Sequence, residues 1–226
     1  MGIPCIHESY SKYILKRKAV TSQTLVLTFD DGPGNRATPA ILDLLEENNA
    51  KGTFFLLGRN IESQKELVRD ICQRGHQICS HGFEHLNYLR ISPWRAIKDI
   101  ERGFKTIDAA LGIDEGVYFF RPPYGKLNFI CLLYLFIKNI PIAYWTDDSG
   151  DTWKSKPDCS RISNLVKSTG GSVCLFHDFD RTEEKNESWV RNSVQLVLDA
   201  AKEKCMKVVT ISELIDNKAV KPFDQD

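Results

Sequence analysis

The chain has 226 residues, a length that suits one α/β domain and leaves little room for a second. Its 30 basic and 30 acidic residues cancel, so no overall charge favours nucleic acid or an anionic membrane as a partner. The longest apolar run, Phe129–Ile137, is shorter than the roughly 20 residues that span a bilayer. This run predicts a buried helix that leads into a strand.

The first 20 residues lack an apolar stretch of signal-peptide length, so no secretion signal is visible in them. We expect an N-terminal extension over residues 1–23, one (β/α) domain over 24–217 and a polar tail over 218–226. Seven cysteines without a C-x-x-C pair argue against a zinc ribbon. We expect the protein to be a monomer.

Short β-branched and aromatic runs alternate with stretches of helical periodicity along the chain. This order predicts repeated β-α units around a parallel sheet. About seven strands are predicted, over residues 25–29, 53–57, 77–80, 117–120, 140–145, 172–176 and 207–210. The fold class is therefore α/β, of the (β/α) barrel type.

Residues capable of chemistry follow the carboxyl end of nearly every predicted strand. In chain order they are Asp30 and Asp31, His81 and His85, Arg121, the acidic residues Asp147, Asp148 and Asp151, and His177. The carboxyl ends of parallel strands converge on one face of a barrel, where such folds carry their active sites. We therefore expect five clusters, far apart in sequence, to share one pocket.

His81 and His85 are four residues apart, so one helical turn would place both imidazoles on the same side. A carboxylate from another strand end would complete a facial set of ligands, and the spacing leaves Asp30 and Asp31 as candidates. Two histidines and one carboxylate suit a catalytic Zn²⁺ or a similar first-row ion. Such an ion activates water and polarises a carbonyl oxygen, which predicts a hydrolase that removes an acyl group.

Adjacent aspartates at a strand end point in different directions, so one can bind the metal while the other acts as a base. Arg121 is the candidate cation that keeps the second carboxylate ionised. His177, on a different strand, is the candidate general acid for the leaving group.

These motifs resemble those of the polysaccharide deacetylase family, also called carbohydrate esterase family four. The family's first motif is matched by Thr28-Phe29-Asp30-Asp31-Gly32-Pro33, and the other motifs follow in the family's order from about residue 24 to 212. The resemblance implies a distorted barrel with fewer strands than its eight-stranded parent. It also implies hydrolysis of N-acetyl groups on an N-acetylglucosamine polymer, such as chitin or peptidoglycan, outside the cell or in the cell wall.

The resemblance further implies a ligand set and a base. Asp30 is then the catalytic base, and Asp31 binds one divalent ion together with His81 and His85. Zn²⁺ is the first choice for this ion, with Co²⁺ or a similar ion as the alternative. Arg121 matches the residue that orients the base.

Other matched positions concern the leaving group and the substrate. His177 matches the acid that protonates the leaving amine, and Asp151 matches the residue that tunes it. The backbone N–H of Tyr124 matches the oxyanion donor. The implied substrate-binding residues are Pro123, Tyr124, Trp153 and Leu175, with Leu175 lining the acetyl pocket.

Two positions depart from the family's pattern. The second motif usually has Ser or Thr after its first histidine, and Gly82 lacks that loop-fixing hydroxyl. The fourth motif has one extra residue before Trp153, which predicts that Trp153 and Asp151 are displaced from the pocket. A catalytically silent carbohydrate-binding protein of the same fold is therefore an alternative hypothesis. A small-molecule amidohydrolase is a third, which a narrow closed pocket would favour.

Overall fold

A computed structural model describes Leu15 and residues 19–116, 118–181 and 184–215. Its six strands are β1 (Thr24–Asp30), β2 (Thr53–Leu56), β3 (Gln77–Ser80), β4 (Asp147–Asp148), β5 (Ser172–His177) and β6 (Lys207–Val208). They form one sheet in the order β3-β2-β1-β5-β4, and β6 also pairs with β1. All these pairings are parallel, which confirms the α/β fold class.

Helices occupy most of the chain between the strands. They are α1 (Ala37–Glu47), α2 (Gly58–Ile61), α3 (Lys65–Gln73), α4 (Pro93–Leu111), α5 (Phe129–Ile137), α6 (Arg161–Thr169), α7 (Glu184–Glu203) and α8 (Ile211–Ile215), with a 3-10 turn at Pro123–Gly125. None of the helices within the described ranges combines the length and hydrophobicity that a membrane span requires.

β1 is the central strand, and all of its residues are buried. Its carboxyl end is level with those of its neighbours, since Asp30 lies opposite Phe55 on β2 and His177 on β5. β3 continues the same edge through the pairing of Leu56 with Ser80. The loops that leave this edge therefore start side by side, as the parallel topology requires.

The strands predicted at 117–120 and 140–145 are reduced to single parallel bridges, which join Ser80 to Phe120 and Phe120 to Ile142. Residue 117 lies outside the described ranges. Proline has no N–H to donate to a strand ladder, and the regular pairing stops next to Pro122 and Pro141. The contacts thus continue from β3 towards β4, which pairs with β5 and was not predicted.

The prediction of a buried helix over Phe129–Ile137 is wrong. The helix exists as α5, but only Cys131 and Leu135 are buried, and Phe136 is 77% exposed. The reason is that α5 packs against α4, where the hydroxyl of Tyr134 donates to Glu101 at 2.9 Å. One face of the helix is covered in this way, while the opposite face remains exposed.

An aromatic stack centres on Phe29 of β1 in the main core. Its ring lies 4.9 Å from that of Phe54 and 5.9 Å from that of Phe176, on the two neighbouring strands. All three rings are fully buried. In a core packed this closely, a smaller side chain at residue 29 would leave a cavity.

We expect Phe29→Ala to lower the free energy of unfolding by about 3–5 kcal/mol, because it removes a buried ring and leaves a cavity. Phe136→Ala is the matched control, and its exposed ring should change stability by less than about 1 kcal/mol. Urea unfolding of both variants measures the difference. Equal losses would contradict the position assigned to Phe29.

Candidate metal-dependent active site

Asp31, His81 and His85, which we call the metal cluster, meet beyond the carboxyl ends of β1 and β3. One potential ligand atom from each residue lies within 4.8 Å of the others. Asp31 Oδ1 is 3.5 Å from His81 Nε2 and 3.2 Å from His85 Nε2. The three side chains predicted as ligands are thus brought together at the carboxyl-terminal edge of the sheet.

The chemistry of these atoms fits a cation. His81 Nδ1 donates to the carbonyl oxygen of Arg121 at 2.8 Å, which leaves the lone pair on Nε2 free to face Asp31. Asp31 Oδ1 is buried and has no hydrogen-bond partner among the residues that the structure describes. Burial is the main cause that lowers the pKa of His81 to about 3, and it also lowers the pKa of His85. Neutral imidazoles and a carboxylate are the forms that ligate divalent metals.

The loop that carries His81 and His85 is not the helical turn that was predicted. His85 has a φ of 57° and Gly82 a φ of 83°, and both angles lie outside the right-handed helical region. Asp31 (φ 72°) and Tyr124 (φ 59°) have left-handed backbones as well. Strained backbone conformations of this kind are concentrated at functional sites in proteins.

Asp99 on α4 fixes this loop in place of the missing hydroxyl. Its carboxylate accepts from the backbone N–H groups of Phe83 and Glu84 at 3.0 and 3.1 Å, and from the hydroxyl of Tyr88 at 2.7 Å. A Cβ at residue 82 would collide with the Tyr88 hydroxyl. The glycine that departs from the family's pattern is therefore required here, and the loop is held by a different set of hydrogen bonds.

The carboxylate of Asp30 lies beside the metal cluster and is paired with Arg121. Arg121 Nη1 donates to Asp30 Oδ1 at 2.7 Å, and both side chains are buried. Asp30 Oδ2 faces the cluster, 3.7 Å from His81 Nε2. Burial raises the pKa of Asp30, and the positive charge of Arg121 opposes that rise. The structure therefore places a carboxylate of increased basicity next to the metal cluster.

His177 lies at the end of β5, opposite Asp30, and is held by Asp151. Its Nδ1 donates to Asp151 Oδ1 at 2.8 Å, and Asp151 Oδ2 accepts from the His177 backbone and from Arg181 Nη2 at 2.9 and 2.7 Å. The extra residue before Trp153 thus leaves Asp151 in contact with His177. Burial alone would lower the pKa of His177, but the nearby carboxylates, above all that of Asp151, raise it to about 9.

The predicted substrate-binding residues differ in their exposure. Pro123 and Leu175 are buried, whereas Tyr124 is exposed and its ring lies 4.5 Å from that of His85. Trp153 is 46% exposed. The guanidinium carbon of Arg161 lies over the indole ring of Trp153, 5.1 Å from the ring centre. Of these four residues, Tyr124 is the one that contacts the metal cluster directly.

An open groove of about 360 Å³ adjoins Asp31 and His85. Arg59, Asn60 and Gln64 line it, and sequence reasoning did not single them out. Asn60 and Gln64 donate to the carbonyl oxygens of residues 31 and 33, at 2.7 and 2.8 Å, so they hold the loop of the first motif. Only their position, in and just after the short helix α2 that follows β2, could have indicated this role.

Three other residues were also missed in the sequence, because each of them acts by holding a loop or a side chain of the site. Arg181 completes the partners of Asp151, and Asp99 holds the loop of the two histidines. Asp180 accepts from the backbone N–H groups of residues 35, 36 and 37 at 2.9, 2.9 and 3.0 Å. It therefore caps the start of α1 from the loop that follows β5.

The family model described as "Polysaccharide deacetylase" matches residues 17–134. The chain belongs to this family. A peptidoglycan-N-acetylglucosamine deacetylase of Listeria monocytogenes, PgdA, is 32% identical over 206 residues, which cover 89% of this chain and 41% of that protein. The chain thus spans about two-fifths of the length of that relative.

Solved structures of the same family share the fold. A peptidoglycan N-acetylglucosamine deacetylase in complex with a benzamide compound has a TM-score of 0.77 and 28% identity, and the match covers 88% of this chain and 94% of that one. A protein of Bacillus anthracis described as a CE4 family pseudoenzyme has a TM-score of 0.73 and 25% identity, with coverage of 88% and 67%. The fold therefore occurs in a protein described as a deacetylase and in one described as a pseudoenzyme.

We expect His85→Ala to lower the amount of divalent metal that the protein retains after dialysis against a metal buffer, because it removes one of the three ligands. Glu84→Gln is the matched control, since Glu84 is exposed and adjacent to His85 but lies outside the metal cluster. Elemental analysis of both variants and the wild type measures the content. Equal metal in all three proteins would contradict the site.

In the metal-free protein, the pKa of His177 should be near 9, and Asp151→Asn should lower it towards 6.5 by removing the carboxylate charge. An NMR titration of the histidine ring measures both values. Since folding raises this pKa, the interaction stabilises the fold fully below pH 6.5, and its contribution is lost as the pH rises through about 9. Titration of His177 at the same pH in both proteins would refute the assigned pairing.

Proposed function

We propose that this chain is a metal-dependent deacetylase that removes N-acetyl groups from an N-acetylglucosamine polysaccharide. The observation that carries the proposal is that two proton-transfer groups lie side by side next to the metal cluster. Asp30, paired with a cation, is buried beside the cluster, and His177, paired with a carboxylate, is its neighbour across the β1–β5 register. Amide hydrolysis requires a base and an acid, and partners of opposite charge suit the two groups to these separate roles.

Asp31, His81 and His85 would hold the divalent ion, which we expect to be Zn²⁺, with Co²⁺ or a similar ion as the alternative. When bound, such an ion polarises a carbonyl oxygen and lowers the pKa of water towards neutrality. The two neutral imidazoles and the unpartnered Asp31 Oδ1 support this assignment.

The side chains of the protein supply the proton transfers. Asp30 accepts the proton of the attacking water at Oδ2, because Oδ1 is held by Arg121. His177 delivers a proton from Nε2 to the leaving nitrogen, since Nδ1 is held by Asp151. The products are acetate and a free amino sugar.

The substrate would be bound along the open groove. We assign the backbone N–H of Tyr124 to the oxyanion, a contribution of roughly 3–4 kcal/mol in other acyl-transfer enzymes. Leu175 is assigned to the acetyl pocket, and Pro123 and Trp153 to its walls. The names of the relatives point to peptidoglycan, and an open groove suits a polymer better than a small amide. Cell wall or extracellular action follows from this choice, and no nucleic acid is required.

A catalytically silent carbohydrate-binding protein is the alternative, favoured by the extra residue before Trp153 and by the likeness to a pseudoenzyme. The contacts of Asp151 with His177 and Arg181 argue for activity. Sugar binding without release of acetate would support the silent protein. Recovery of activity on deletion of Thr152 would attribute the silence to the altered motif.

We expect the wild type to release acetate from N-acetylglucosamine oligomers, and a chelator to stop the reaction. Asp30→Asn should reduce kcat by about 10²–10⁴-fold, because it removes the base. Asp43→Asn is the control, since its exposed carboxylate pairs with Arg74 and is not a member of the metal cluster. An acetate assay measures all three proteins. Absence of acetate with several metals, or equal rates for the two variants, would contradict the proposal.

A further inference from the structure

The exposed face of α5 is apolar, which is unusual for a surface helix. Five of its residues share this face, since they lie at the helical spacings i, i+1, i+4, i+7 and i+8. They are Phe129, Ile130, Leu133, Phe136 and Ile137, and their exposed fractions range from 42% to 77%. We call them the α5 face. No side chain in the described part of the chain covers it.

Two further exposed apolar side chains belong to segments that contact α5. Leu89 follows Tyr88, whose carbonyl oxygen accepts from Asn128 at the start of α5. Trp94 is 70% exposed and follows Pro93, whose carbonyl oxygen accepts from Cys131. Exposed apolar side chains therefore occur both on α5 and on the segments in contact with it. Large exposed apolar surface of this kind marks an interaction surface.

The two segments that carry the exposed apolar side chains, residues 86–98 and 118–146, contain no aspartate or glutamate. Glu101 of α4, which lies outside these segments, contacts α5 by accepting from the hydroxyl of Tyr134. The two segments contain five exposed cations, Arg90, Arg95, Lys98, Lys126 and Lys138. None of the five forms an ion pair with any residue that the structure describes. This local excess occurs in a chain whose net charge is zero.

We infer that the α5 face docks on the surface of a membrane that contains anionic lipids. Aromatic and aliphatic side chains on one side of a helix enter the boundary between headgroups and acyl chains, and flanking cations are attracted to anionic headgroups. The helix lies on the membrane in this arrangement and does not cross it.

The charges also argue against a second copy of the chain as the occupant. A two-fold symmetric contact through the α5 face would place the same five cations of both copies around one interface. No acidic residue of those two segments would be present to pair with them. An anionic membrane satisfies both the apolar face and the cations.

The loop that carries Tyr124 leads directly into α5, with Asn128 capping the helix. Docking through α5 would therefore hold the candidate active site close to the membrane. The inference does not depend on catalysis, so it can be tested separately from the proposed function.

The test is sedimentation of the full chain with vesicles. We expect binding to vesicles of phosphatidylglycerol and phosphatidylcholine in equal amounts to exceed binding to phosphatidylcholine alone by about tenfold or more, and to weaken with added salt. The double variant Phe136→Ser/Ile137→Ser should reduce the partition coefficient by at least about tenfold. Its thermal unfolding should match the wild type, since both side chains are exposed.

A charge variant separates the electrostatic contribution. Lys98→Glu/Lys138→Glu should abolish the preference for phosphatidylglycerol, whereas the control Lys204→Glu/Lys207→Glu, with the same change in charge elsewhere on the surface, should retain it. The inference is overturned if the wild type stays in the supernatant with both vesicles or if the serine variant binds like the wild type. It is also overturned if sedimentation without lipid shows a dimer that the serine variant dissociates, with no binding to vesicles.

Discussion

The guanidinium of Arg121 connects β1 to the segment that precedes β4 and pairs with the candidate base. It is fully buried and donates to Thr28 and Asp30 on one side, and to the carbonyl oxygens of Ala143 and Tyr144 on the other. A buried cation is tolerated only when such partners compensate for its lost hydration. The carbonyl groups of residues 143 and 144, which lie outside the regular strands, are thus held by this side chain.

The acid and the base are kept apart by opposite surroundings. Asp30 has a cation as its nearest partner, whereas His177 has a carboxylate, and that carboxylate is itself paired with Arg181. Burial acts on all of these groups, because it penalises every charge that lacks a partner. The nearest charge therefore favours the ionised form of Asp30 and the protonated form of His177, with the metal cluster beside them.

The sequence predicted those features that follow from topology. The α/β fold class and the family are confirmed, and Asp31, His81 and His85 meet because parallel strands end at one edge. Loop contacts such as those of Asp99 were not predictable, since they depend on the path of the backbone. The exposure of α5 was missed because composition does not indicate which face packs, and the zero net charge concealed a local excess of cations. The domain boundaries and the roles of the site residues stay predictions.

Asp180 joins two parts of the chain that are remote in sequence, because its carboxylate holds the first turn of α1. The same short loop carries Arg181, which fixes the partner of the candidate acid. The segment from 178 to 181 and the turn from 31 to 37 are therefore coupled by hydrogen bonds into one structural unit. Chimeras that exchange one of them between family members should keep both from the same parent.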